Sequence, residues 1–138
     1  MINPKELRLG NIVNYTRNLP GEDKYYTVLN ILPTDLVLQS STDHFAVDIK
    51  DVYPVLLTNQ IFPLCSFDPL NTEPQNRWYH NTVKGFGIDE EVDSENDLVY
   101  KWYIYAARDE FTYLESVHQL QNLFFALYGK ELQTRLIQ

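Results

Sequence analysis

SVHQLQNLFFALYGKEL, residues 116–132, has the spacing of a helix and decides that the fold is α+β rather than all-β. At 100° per residue from Val117, the side chains Leu123, Leu127, Leu120, Tyr113, Phe124, Val117 and Tyr128 fill one continuous arc, which Phe125 and Leu114 extend. Glu115, Gln119, Asn122 and Ala126 lie opposite, with His118 on the border. The pattern predicts a helix over 114–128 with Gly129 as the residue that ends it. Gln121 falls inside the apolar arc. A buried amide left unpaired costs about 1–3 kcal/mol, so Gln121 needs a designated partner. A strand edge or turn beneath the helix would make it a structural polar anchor; a ligand or a partner chain is the alternative. His118 and Asn122 stand four apart on one polar edge and read as surface or interface residues.

Upstream of the helix the period is two. ELRLGNIVNY (6–15) alternates Leu7 and Leu9 before Gly10, then opens a strand at Ile12. Turn clusters NLPGED (18–23), PTD (33–35) and STDH (41–44) separate KYYTVLNIL (24–32), LVLQS (36–40) and FAVDI (45–49). Asp51 and Pro54 suggest one helical turn before a last short strand, Val55–Leu57. Five short strands, the last two bridged by a helical turn, resemble an SH3-like small β-barrel over residues 1–57. Such barrels host nucleic-acid, peptide and structural roles, so the fold alone selects no function.

Residues 58–76 read as a connector, with Pro63 breaking any helix and FDPLNTEPQN (67–76) forming an exposed loop. Residues 77–138 read as the second part, a short antiparallel sheet packed by the C-terminal helix. RWYHNTV (77–83) and DLVYKWYIYAA (97–107) are its strands, and RDEFTYLE (108–115) leads into the helix. The two parts are either separate or one compact unit. Aromatic residues make up 14% of the chain and gather in these strands, so Trp78, Tyr79, Trp102, Tyr103 and Tyr105, with His118 and Asn122, are the candidate interaction surface.

Charge and chemistry narrow the function classes. The formal charge is −8; residues 1–57 hold five basic and seven acidic residues, and residues 58–138 six and twelve. That balance opposes a phosphate backbone, which needs clustered Lys and Arg, and makes nucleic acid an unlikely partner. The run IDEEVDSENDL (88–98) reads as a solvated loop; as a calcium loop it fails, with Ser94 where Gly is needed and Tyr100 where Glu is needed. Cys65 is the single cysteine, so no intramolecular disulfide forms, and in LCSF it reads as a small buried hydrophobe rather than a nucleophile. Serine-hydrolase elbows, Gly-rich phosphate loops and zinc spacings are missing from the sequence. No catalytic residue, metal or cofactor is expected. No apolar run approaches the ~20 residues of a membrane helix, and the expected location is cytoplasmic.

HQLQNLFFALYGKEL (118–132) is similar to the closing helix of a family of small proteins of Bacteroides-type bacteria, their phages and mobile elements, with the form HQLQNLxFALxGxEL. The likeness extends loosely to LRLGNIV (7–13) and PVLLTNQIF (54–62). It implies origin and architecture but transfers no functional residue. The resulting expectation is a non-enzymatic accessory or interaction protein of phage or mobile-element origin, engaging a protein partner or itself. The alternative is a nucleic-acid-associated protein, or an acidic mimic of nucleic acid that binds a basic partner.

Overall fold

The computed structural model describes residues 2–15, 25–70, 77–92, 100–106 and 110–137. It contains two antiparallel five-stranded sheets and a C-terminal helix. The chain divides into two units: residues 1–56 with 116–138, and residues 57–115. The expected boundary after 57 lies one residue from this division, whereas the division has no boundary at 76 and places its second one after 115. The helix belongs with the N-terminal strands rather than with the second sheet.

In the first unit, Gly10 adopts φ +93, a region open to glycine, and turns the chain into β1 (Ile12–Tyr15). Strands β2 (Tyr25–Ile31), β3 (Asp35–Gln39) and β4 (His44–Asp48) follow as an antiparallel meander. The β2–β3 register shifts between Val28 and Asn30, an irregularity that bends a strand. A 3-10 turn, Ile49–Asp51, starts where the Asp48 side chain accepts the Lys50 N–H, and β5 (Val52–Pro54) returns to pair with β1. The helical turn and last strand thus lie about three residues earlier than the sequence suggested. Pro54 is tolerated because β5 is the end strand of the order β4-β3-β2-β1-β5. Among the described residues no ladder joins β4 to β5, so the sheet is described as open.

One face of that sheet is buried. Val13, Tyr26, Val28, Leu36, Leu38, Val47 and Val52 form a core with Ile2 and Leu7, and Tyr15, Ile31, Phe45 and Ile49 pack on it. The helix α1 (Val117–Tyr128) buries Val117, His118, Leu120, Gln121 and Phe124 and lies against β1. It begins three residues later than expected because 110–114 are drawn into a strand. At its end Gly129, φ +68, donates its N–H to Phe125 O at 2.8 Å, the left-handed cap that glycine favours.

The second unit is a meander of order β10-β9-β8-β7-β6. Its strands are β6 (Phe67–Leu70), β7 (Arg77–His80), β8 (Gly87–Val92), β9 (Tyr100–Ala106) and β10 (Glu110–Leu114). Three expectations change here. Residues 58–70 of the expected connector 58–76 are not a connector: Phe62, Cys65 and Phe67 are buried, and Pro69 fits because β6 is an edge strand; residues 71–76 lie outside the described residues. The start of the acidic run is not a loop, since β8 is paired on both sides by backbone bonds that side-chain charge does not oppose; its remainder, residues 93–98, lies outside the described residues. Finally, Glu110–Leu114 pairs along β9 from Ala106 to Trp102 instead of leading into the helix.

Phe62 is the hub of this core, its ring centroid 4.6 Å from Trp102, 5.4 Å from Trp78 and 6.1 Å from Phe67. Buried indoles need partners for their N–H groups. Trp102 Nε1 donates to Leu57 O at 3.0 Å, and Trp78 Nε1 to Asn59 Oδ1 at 3.2 Å.

Candidate functional site

The polar residues of the helix motif face the segment that precedes β1. Gln121 Oε1 accepts the Ile12 N–H at 2.7 Å, and its Nε2 donates to Gly10 O at 3.1 Å. One amide therefore supplies the acceptor and donor that a neighbouring strand would offer to residues 10–12. Gln121 is 3% exposed, and its bond to Ile12 is buried from bulk water, while that to Gly10 is partly buried.

Asn122 makes the next layer. Its Oδ1 accepts from Asn11 Nδ2 at 2.8 Å and from Arg8 Nε at 3.2 Å, and its Nδ2 donates to Glu6 O at 2.7 Å. Asn11 is fully buried; its Oδ1 accepts the Arg8 N–H at 2.7 Å and its carbonyl accepts the Val28 N–H. Arg8 closes the layer with a two-pronged pair to Glu131, its guanidinium carbon 4.3 Å from the centre of the Phe125 ring. The Glu131 hydrogen bond and charge raise the Arg8 pKa, so the guanidinium stays charged. Asn122, expected on the solvent face, is committed to this intramolecular set.

His118, expected at the border of the polar face, is 2% exposed. The buried face of α1 is centred between Val117 and Gln121, turned from the Leu123–Leu127 side that the angular map favoured, and this turn carries His118 inward. Its Nδ1 lies 3.0 Å from Ser116 Oγ, and its Nε2 3.5 Å from Glu6 Oε2. Burial pushes the imidazole pKa down, against the opposing pull of Glu6, and favours the neutral ring. A hydroxyl, an imidazole and a carboxylate in sequence invite a nucleophilic reading, but Ser116 is itself 2% exposed and offers an acyl group no approach.

The aromatic candidates separate by face. Trp78 and Trp102 point into the core of the second unit, which removes them from any exposed surface. Tyr79 and Tyr103 lie on the opposite face, as strand alternation requires. Across the sheet, Leu70, Arg77, Asp89, Tyr103 and Tyr113 form one row in register through all five strands. Tyr113 is 52% exposed and Tyr79 43%. The Tyr103 and Tyr113 rings are 4.1 Å apart with their hydroxyls hydrogen-bonded, and Arg77 Nε is 3.4 Å from Asp89 Oδ1. The Tyr105 side chain lies outside the described residues. The candidate residues are thus not one surface: His118 and Asn122 belong to the first unit, the aromatic residues to the second.

Sequence reasoning missed Glu6, Arg8, Asn11 and Glu131 in the polar layers and Tyr113 in the exposed row. Arg8, Asn11 and Glu131 lie within the two quoted motifs and Glu6 just before one of them, but no periodicity links residue 8 to residue 131. Tyr113 lies just before the expected helix, and its spacing continues the apolar arc, which hides its place in a strand.

The remaining chemistry is quiet. Burial pushes the Cys65 thiol up to about 12, so at neutral pH it is protonated and poorly nucleophilic. Among the described residues no group of three or more His, Cys, Asp or Glu could hold a metal ion. No helix among them is long and apolar enough to cross a membrane. No family model matches the chain, and no curated protein or solved structure matches it significantly.

Proposed function

We propose that this chain is a non-enzymatic interaction protein that engages a protein partner through its second unit. The observation that carries this reading is a sheet face bearing the exposed Tyr79 and Tyr113 and the half-buried Tyr103, whose reverse holds the buried tryptophans. Tyr side chains give large contact area for little conformational entropy and are enriched at interfaces. The polar groups of the helix motif are meanwhile occupied by backbone and side chains of the same unit, which leaves Gln121 the role of a structural anchor.

Several features support the rest of the proposal. The first unit is an SH3-like barrel in this reading: its strand order and its 3-10 turn between β4 and β5 are those such a barrel uses. Origin in a phage or mobile element, within the family that the helix motif resembles, rests on HQLQNLFFALYGKEL and LRLGNIV, whose residues bond to one another. A cytoplasmic location suits a lone, buried, protonated thiol. Light scattering of the purified chain with affinity capture from a host lysate tests the central point. A specific captured protein or a defined oligomer is expected; a strict monomer that captures nothing contradicts it.

A further inference from the structure

The division into units concentrates charge. Residues 57–115 hold four Lys or Arg against eleven Asp or Glu, net −7, whereas residues 1–56 and 116–138 hold seven against eight, net −1. Nearly all of the −8 therefore belongs to the unit that carries the exposed Tyr79 and Tyr113. Arg77, the one basic side chain described on that face, is held beside Asp89.

This combination selects the occupant. Two such units bearing −7 each repel, which disfavours a second copy of the chain, and nucleic acid is disfavoured by the same charge. Tyr rings present a negative π-face to Arg and Lys, and the surrounding carboxylates attract the same groups at longer range. We propose that the outer face of the second sheet docks a basic segment of a protein partner, its Arg or Lys side chains lying over Tyr79, Tyr103 and Tyr113. Asp68, exposed and directly opposite Tyr79 in the register, supplies the adjacent negative charge, while Asp89 is paired with Arg77. The proposal rests on the interaction reading above and names its site and partner class.

The full chain is titrated with a capped eight-residue peptide alternating Arg and Gly, and with a matched peptide carrying Glu for each Arg, by amide NMR at low and moderate salt. The Arg peptide is expected to bind, more weakly as salt rises, with shifts concentrated on β7, β9 and β10. The Glu peptide is expected not to bind. Tyr79→Ser and Tyr113→Ser, both at exposed positions, should each weaken binding roughly two- to fivefold, the range of an exposed cation–π contact. Tyr53→Ser, an exposed tyrosine of the first unit, should leave it unchanged. Spectral dispersion of each variant reports that it is folded. Undiminished binding by Y79S and Y113S, shifts centred elsewhere, or no binding of the Arg peptide overturns the proposal. Lysate capture separates the two levels: a protein retained equally by wild type and the Y79S/Y113S variant removes this surface but keeps the interaction reading. A monomer that captures nothing removes both.

Discussion

His118 is a histidine that the fold buries. It has one hydroxyl neighbour, Ser116, and one carboxylate, Glu6, and burial outweighs the carboxylate so that its pKa falls below the ordinary 6.5. The unfolded chain then binds a proton more readily than the folded one, and the sign of the pH effect follows. His118's contribution is complete above pH 6.5 and is lost as pH falls from there towards the lowered folded value. Urea unfolding between pH 7.5 and 5 should show stability declining below about 6.5, and His118→Gln should flatten that decline. An unchanged pH dependence in the variant would contradict this role. At this scale the sequence was legible in part. The 100° map places Gln121 among apolar neighbours, and it is buried; the same map leaves His118 at the border because its apolar arc runs on to Leu127 and Leu123 on the far side, whereas α1 buries the side nearer Gln121. Partners more than a hundred residues away leave no mark in a local pattern.

Elements were legible where one face was apolar and ran out where the backbone chose. Strands β2, β3 and β4 follow alternating sequence between turn clusters, and Gly129 ends α1 as glycine at a helix end usually does. Strand β8 shows the limit. GIDEEV reads as polar and charged, yet β9 pairs along its whole length and β7 along Gly87–Asp89, and Ile88 and Glu90 turn into the core face while Asp89 turns out. Strand β10 shows another: EFTYL continues the helical spacing of α1, and pairing with β9 overrides that local preference. β6 and β5 each contain a proline, which argues for a loop until the strand is known to lie at an edge.

For the whole molecule, sequence order concealed which parts fold together. The second unit, 57–115, interrupts the first between Leu56 and Ser116, and those two residues form a β-bridge. Within the first unit Val117 donates its N–H to Val55 O at 2.8 Å, so the chain leaves and re-enters at adjacent points. Replacing residues 57–115 by a short Gly–Ser linker should therefore leave a cooperatively folding first unit, read by its NMR dispersion and a single urea transition. A collapsed, non-cooperative product would contradict the division. What closes this unit is the lock between its first and last segments: Gln121 on Gly10 and Ile12, Asn122 on Glu6 and Asn11, and Glu131 on Arg8. The most direct test of that lock is amide hydrogen exchange at Ile12 in the full chain and in Gln121→Ala, with urea unfolding alongside. Wild-type Ile12 should be protected, and the variant should lose that protection together with roughly 1–3 kcal/mol, since the buried Ile12 N–H is left unpaired and the partly buried Gly10 carbonyl loses its donor. An Ile12 amide that already exchanges freely in the wild type, or a variant of unchanged stability, would contradict the account.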